Sequence, residues 1–418
     1  MSQRVHLLIL LHGLWGNTGH LAALEQAIKE KHTESDQNGE VLEVLLPKSN
    51  ESVATYDGID WGGERIADEI YNCVEELREK EKVVVKLSFT GYSLGGLIAR
   101  YILGILEQRK FFDNVEPMNF TTIATPHLGQ FKYSSMVSSL MGALGPKLLS
   151  RTGKQFYCQD KWSSDGRPLI EVLADPDKIF FKALSRFKYL KIYANAIYDT
   201  LVPYCTAAIE TEDVFAEYMG NGIKIEMEED YECVIKKFTL PDTPPPKAAM
   251  FSRKWFAAKK PRPLLPPTAQ LRFPFNIVLY ATLPFLLIPA ISYGLYKFSV
   301  DSKASEERIK QFESEESYPK KLVALFETLE HEIESTTADA VKNPEGAPYP
   351  VMSPDLHPII TPEQKKIARW LNRLPFEKTL AFFPGVRNSH ALIVWKDKTT
   401  QHKRGESVVR HWADHLIL

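Results

Sequence analysis

The chain has 418 residues, 44% hydrophobic and 25% charged, with a formal net charge of −2. That balance is ordinary for a globular protein of one large domain with insertions, or of two domains, and it offers no basic strip for nucleic acid. The four cysteines, Cys73, Cys158, Cys205 and Cys233, stand apart with no C-x-x-C pair or Cys/His cluster, which argues against a disulfide framework or a metal site and reads as reduced thiols facing a cytosol; no cofactor is expected.

In chain order, residues 5–11 form an apolar run of the kind seen in parallel strands buried on both faces. A signal peptide is the poorer reading, because the run is short and leads into His12-Gly13 with no small-residue cleavage site. A turn over 12–19 follows, then a helical pattern through Leu21, Leu24 and Ile28, and a second strand over 41–46. Ile66, Ile70, Val74 and Leu77 recur about once per turn and predict a helix over 62–80. Residues 83–90 are strand-like and 94–108 helical. Further strands are expected over 120–125 and 189–195. Strands alternating with helices predict an α/β fold with a mostly parallel sheet. Between them, Met136, Val137, Leu140, Met141, Leu144 and Leu148 make an apolar helical stretch. It reads either as a core helix or as a lid that opens on lipid.

The chemistry centres on Thr90-Gly91-Tyr92-Ser93-Leu94-Gly95-Gly96, a G-x-S-x-G pattern set between a strand and a helix. A serine hydroxyl becomes a usable nucleophile when a sharp turn holds it out of the sheet. Gly91 and Gly95, lacking Cβ atoms, allow that turn. This is the nucleophile elbow of α/β-hydrolase folds, and it makes Ser93 the candidate nucleophile. The Leu94 N–H, opening the next helix, is one expected oxyanion donor. The loop after the first strand, His12-Gly13-Leu14-Trp15-Gly16, supplies the second through the Leu14 N–H. His12 precedes the elbow and reads as a residue that orients this loop together with Gly13.

With this elbow the chain order is nucleophile, then acid, then histidine. Asp199 follows the 189–195 strand and is the candidate acid. Its alternative is an Asp that merely caps a turn beside Thr200. Six histidines come later: His331, His357, His390, His402, His411 and His415. His390 sits just before an apolar run, expected as a strand over 391–395, where a loop could carry it over Ser93. It is the first candidate for the base and His411, in a C-terminal helical stretch, the second.

The pattern changes after about residue 203. Residues 241–267 are rich in proline, lysine and arginine and read as a linker. Residues 273–296 carry no charged side chain, lie between Arg272 and Lys297, and are long enough for the roughly 20 apolar residues of a membrane span. Pro284 and Pro289 interrupt them, so a single span, a re-entrant hairpin in one lipid leaflet and a buried core helix all remain open. A charged helix is expected over 301–334, with Leu322, Leu325, Phe326, Leu329 and Ile333 on one face. A short helix follows over 365–371 and a strand over 380–383. The expected organisation is a hydrolase core over 1–205, an insertion over 206–365 and the rest of the core over 366–418.

Three stretches carry a resemblance. Leu11-His12-Gly13-Leu14-Trp15-Gly16, Gly91-Tyr92-Ser93-Leu94-Gly95-Gly96-Leu97-Ile98-Ala99-Arg100-Tyr101 and Ile123-Ala124-Thr125-Pro126-His127-Leu128-Gly129 together resemble the fungal ROG-type lipases, a serine esterase family. Within it the size and the proline-broken apolar segment are similar to those of a lipid-droplet phospholipase. The resemblance implies hydrolysis of acyl esters of glycerophospholipids, with Ser93, Asp199 and His390 at the family's motif positions. It also implies a lipid-droplet or endoplasmic-reticulum surface as partner, with the catalytic domain facing the cytosol. The alternatives are a mono- or triacylglycerol lipase, an acyltransferase or thioesterase with the same three residues, and a lipid-binding protein without catalysis.

Overall fold

The computed structural model describes residues 2–32, 39–243, 245, 275–314, 357–396 and 402–418. Among these residues, strands β1 (Gln3–Leu11), β2 (Val41–Leu45), β3 (Lys82–Tyr92), β4 (Glu116–Ile123), β5 (Tyr189–Asn195), β6 (Lys224–Met227), β7 (Val234–Thr239) and β8 (Glu377–Ala381) form one sheet. The strand order is β2-β1-β3-β4-β5-β8-β7-β6. The first six strands in that order run parallel, and β7 and β6 close one edge antiparallel. This is the mostly parallel sheet of an α/β-hydrolase.

β1 shows why the sheet is buried on both faces. Val5, Leu7, Ile9 and Leu11 belong to one core layer and Leu8 and Leu10 to the other. The period of two sends alternate side chains to opposite faces, and both faces are apolar, so helices cover both. On the first side lie α2 (Ile59–Glu79) and α3 (Leu94–Gln108); on the second lie α1 (Ala22–Lys31) and, from the far end of the chain, the helix Glu406–Asp414. The chain leaves β1 for β2 on one side and then continues from β3 on the other. That reversal opens a crevice beyond the carboxyl ends of β1 and β3, where ligands of such sheets bind.

Several expectations change. The 391–395 run is a series of turns and not a strand. Leu392, Ile393 and Val394 are buried, while Leu392 N donates to Ser389 O and Trp395 N to Leu392 O. A short apolar run signals burial without specifying a strand. The last strand of the sheet lies earlier, at Glu377–Ala381. The 206–365 insertion is also not wholly outside the sheet, because β6 and β7 extend it. Lys224 suits the edge strand β6, and Lys236 and Lys237, consecutive and exposed on β7, hid the alternation.

The connection from β4 carries α4 (Met136–Leu148), α5 (Ser150–Phe156), α6 (Leu169–Ala174) and α7 (Ile179–Ser185), and α8 (Tyr204–Ala208) follows β5. α4 is not a core helix: Leu140 and Met141 are 57% and 52% exposed. Beyond β7 comes α9 (Phe275–Ser314), a single helix of 40 residues. It passes through Pro284 and Pro289 without turning back, so neither a hairpin nor a buried core helix describes it. Each proline removes one backbone donor but leaves helical φ accessible. No helix among the described residues is long and apolar enough to cross a membrane. The linker over 246–267, the Leu322–Ile333 stripe and His331 lie outside the described residues. The last helices are α10 (Pro362–Leu371), opened by a capping box from Thr361 and Gln364, and α11 (Glu406–Asp414).

Candidate active site

Ser93 sits between β3 and α3 with φ 55° and ψ −123°, in a region that non-glycine residues rarely occupy. The turn is held by Ser93 N donating to Ile123 O at 2.9 Å. The glycines are required by crowding. A Cβ on Gly91 would lie 2.5 Å from the Gly96 backbone, one on Gly95 would lie 2.3 Å from Leu11 O, and one on Gly13 would lie 2.8 Å from the Ser93 Cβ. The last two distances show that the loop after β1 abuts the elbow directly. Leu94 opens α3, so its N–H has no carbonyl acceptor within the helix. Leu14 follows Gly13 in the abutting loop.

That loop is tied down from within the domain. His12 Nδ1 lies 3.0 Å from Gly13 O. Burial lowers the His12 pKa, which keeps the ring neutral. Trp15, at φ 55°, donates its N–H to Thr55 Oγ1 at 3.1 Å and its indole N–H to Tyr56 Oη at 2.7 Å.

Asp199 and His390 arrive from the carboxyl ends of β5 and β8, on the same sheet edge. His390 Nε2 is 3.1 Å from Ser93 Oγ, and its Nδ1 is 2.9 Å from Asp199 Oδ2. All three residues are buried. Asp199 is more than a turn cap: Oδ2 also accepts from Asn195 Nδ2 at 2.8 Å, and Oδ1 accepts from Leu201 N at 3.1 Å and Val202 N at 2.8 Å. Four donors thus meet this carboxylate. The His390 loop is fastened to the Asp199 loop. Ser389 N donates to Tyr198 O and Ser389 Oγ to Ile197 O at 2.8 Å, while Asn388 Oδ1 accepts from His390 N at 3.2 Å. Tyr92 packs against the imidazole with ring centroids 5.1 Å apart. Burial, and then the nearby Asp199 charge, push the Tyr92 phenol well above its ordinary pKa, so it stays a neutral donor.

The other histidines stand elsewhere. His411 Nδ1 meets Tyr193 Oη at 2.9 Å, and its ring stacks on His415 in the layer behind the sheet. His357 lies 3.7 Å from Glu217. His127, in the loop after β4, is fully buried with Nε2 2.9 Å from Thr122 Oγ1, which makes it a brace within that loop. The structure brings the three candidates Ser93, Asp199 and His390 together; sequence reasoning missed Tyr92, Asn195, Asn388 and Ser389, which hold them. Their only signal was adjacency to the residues already chosen. No group of His, Cys, Asp and Glu that could hold a metal ion occurs among the described residues.

Comparison with known proteins bears on the family of the chain. The family described as "Putative serine esterase (DUF676)" matches residues 1–211. "Putative lipase YDL109C" of Saccharomyces cerevisiae is 31% identical over 211 residues, 50% of this chain and 31% of that protein. "Putative lipase C4A8.10" of Schizosaccharomyces pombe is 28% identical over 250 residues, 56% of this chain and 31% of that one. "Putative lipase ROG1" of Saccharomyces cerevisiae is 26% identical over 314 residues, 72% of this chain and 43% of that one. The chain thus spans less than half the length of each of these relatives. A solved "Lipase-esterase related protein from Clostridium acetobutylicum ATCC 824" is 16% identical over 44% of this chain and 65% of its own, with a TM-score of 0.21, too loose a superposition to bear on the site. The family match covers half the chain, including the oxyanion loop, the elbow and Asp199, and on that ground the chain belongs to the serine esterase family DUF676.

Proposed function

We propose that this esterase hydrolyses acyl ester bonds of glycerophospholipids at a lipid surface, with Ser93, His390 and Asp199 as its catalytic triad. The observation that carries the reading is the continuous line of hydrogen bonds from Ser93 Oγ through His390 to Asp199, at 3.1 and 2.9 Å. In this mechanism Ser93 Oγ attacks the ester carbonyl while His390 Nε2 takes its proton. Asp199 accepts from Nδ1–H, fixes the tautomer and stabilises the imidazolium. The Leu94 and Leu14 N–H groups receive the developing oxyanion. His390 then returns the proton to the departing alcohol, which for a phospholipid is the lysolipid. Water, activated by the same histidine, releases the fatty acid and restores Ser93.

The substrate part rests on the resemblance to lipases and on the exposed apolar residues of α4 and α9. A mono- or triacylglycerol would fit the same chemistry. We place the protein at a lipid droplet or endoplasmic-reticulum surface, catalytic domain toward the cytosol.

Fluorophosphonate labelling tests the triad. The wild type should label, and Ser93→Ala should not; equal labelling of the two would refute Ser93 as nucleophile. Product analysis on mixed phospholipid and neutral lipid then identifies the substrate. Free fatty acid with lysophospholipid supports the proposal, whereas release from acylglycerols alone, or acyl transfer to added lysolipid in place of hydrolysis, replaces it.

A further inference from the structure

α9 consists of two unlike halves. From Phe298 onward it is docked on the catalytic domain. Phe298 stacks on Trp15 at 5.7 Å between centroids, and Ser302 Oγ donates to Lys147 O of α4 at 3.1 Å. Arg308 Nη2 donates to Asp57 Oδ1 at 2.8 Å and to Val53 O at 3.0 Å. Phe312 stacks on Trp61 at 5.9 Å, and Ser305 and Ile309 are buried. N-terminal to that dock, the described side chains face solvent: Phe285 is 78%, Ile288 67%, Ile291 58% and Tyr296 68% exposed.

The dock lies beside the mouth of the site. Trp15, still 45% exposed, follows the proposed oxyanion donor Leu14. Leu201, 49% exposed, donates its N–H to Asp199. Leu140 and Met141 stand exposed on α4, the helix that Ser302 grips. The apolar arm and the apolar rim are therefore held by one set of contacts.

We propose that α9 is a rigid seat for a lipid surface, and that its dock on Trp15 and Asp57 fixes the angle at which the mouth meets that surface. This rests on the lipase reading above and deepens it: the arm orients the site and does not merely tether it. The occupant is lipid and not a second copy of the chain because of how the apolar side chains are spread. Phe285, Ile288, Ile291, Tyr293, Leu295 and Tyr296 cover about 200° of the helix at 100° per residue, about twice the stripe of a helix that packs on one protein face. No charged residue lies between 275 and 296, and Tyr293, Tyr296 and Lys297 mark the end toward the dock. Tyrosine and lysine at that place suit the boundary between acyl chains and water. An exposed apolar area of this kind marks an interaction surface.

The full chain is tested on dioleoylphosphatidylcholine vesicles, with p-nitrophenyl butyrate as soluble ester. Ile288→Glu with Ile291→Glu should lower vesicle binding by about tenfold or more while soluble ester hydrolysis stays within about threefold. Phe298→Ala with Arg308→Gln loosens the dock and keeps the arm. Trp15 retains Thr55 and Tyr56 as partners, so soluble hydrolysis and vesicle binding should both stay within about threefold while hydrolysis of vesicle lipid falls about tenfold. A dock variant that hydrolyses vesicle lipid like the wild type would overturn the proposal and leave a simple tether. Arm variants that bind vesicles normally but convert a dimer to a monomer in sedimentation would overturn it in favour of a second copy. Failure of the catalytic reading is separate, since it shows as absent fluorophosphonate labelling while vesicle binding is still read directly.

Discussion

Tyr92 donates its phenolic hydrogen to the backbone carbonyl of His390 at 3.1 Å while its ring lies against the imidazole. The residue before the proposed nucleophile thus touches the proposed base, so the elbow and the histidine loop, some 298 residues apart in the chain, are joined here as well as through Ser93. Removing only the hydroxyl isolates this effect. Tyr92→Phe keeps the ring packing and leaves a buried carbonyl without its donor, a cost of about 1–3 kcal/mol. Urea denaturation should show a loss in that range. The proposed positioning role predicts in addition a fall in kcat of about three- to tenfold with KM little changed. A stability loss with unaltered kcat would leave Tyr92 a structural residue only.

Gly95 tests how closely the oxyanion loop must approach the elbow. An alanine Cβ there would lie 2.3 Å from Leu11 O and 2.7 Å from His12 O, both backbone atoms that no rotamer change can move. Gly95→Ala should therefore displace the loop after β1 relative to Ser93. A shift of about 1 Å in catalytic geometry is worth on the order of a hundredfold in rate, so ester hydrolysis should fall by about that factor. The overpacking should also cost about 1–3 kcal/mol of stability. Gly39 is the matched control: a Cβ there meets nothing within 4 Å, although its φ of 74° adds some backbone strain.

The three candidate residues could be chosen from the sequence because chemistry restricts them. A strand–turn–helix with glycines flanking Ser93 has few other uses, and the order of acid and base follows once the elbow is set. Asp199 could be placed because it closes an apolar strand, and His390 because it alone among the later histidines precedes a buried run. That run proved to be turns, since burial and not extension is what an apolar stretch reports. β6 and β7 were not legible: strands of four and six residues bearing lysines resemble loop sequence until β8 is there to pair with β7. α9 misled in the other direction. Pro284 and Pro289 kept a turn-back open, but the helix continues, and its docking residues Phe298, Arg308 and Phe312 fall before the apolar stripe expected at 322–333. The partners that identify the dock, Trp15, Asp57 and Trp61, are more than 200 residues away and have no local signature.

Asp60 ties the helix behind the site to the rim. It is buried on α2 and accepts from Arg151 Nε at 3.0 Å, from Gln155 Nε2 at 2.9 Å and from Trp162 Nε1 at 3.0 Å. Burial alone would raise the Asp60 pKa, but Arg151, then Gln155 and the Trp61 N–H, hold it below its ordinary value. Removing the carboxylate leaves the half-buried Arg151 guanidinium with only the distant Glu313 and strands the Gln155 and Trp162 donors. Asp60→Ala should destabilise the fold by about 2–3 kcal/mol, below the range for a fully buried pair because Arg151 is partly solvated, and Asp60→Asn, which preserves two of the acceptor contacts, by distinctly less. The midpoint of urea unfolding checks both. Equal losses would mean that the charge, and not the hydrogen-bond count, dominates this node.

His411 makes stability depend on pH. Its pKa is lowered from 6.5 to about 4, first by burial and then by the stacked His415 and by Lys191. Groups facing it include Tyr193, Tyr231, Glu377 and Asp414, of which the two carboxylates oppose the shift without reversing it. The folded state therefore holds His411 neutral where the unfolded chain would already protonate it. This contribution is fully present above pH 6.5 and is lost as pH falls toward about 4, because the unfolded state binds the extra proton across that window. At 1.36 kcal/mol per pKa unit the full effect is about 3 kcal/mol. The buried His12 and His127 are also lowered and add to the same slope. Chemical denaturation at pH 7 and at pH 4.5 should show the wild type losing stability on acidification. His411→Gln, which cannot take up that proton, should lose about 2 kcal/mol less over the same interval. Identical slopes in the two proteins would mean that His411 is protonated in the fold, with Tyr193 then accepting its hydrogen bond instead of donating one.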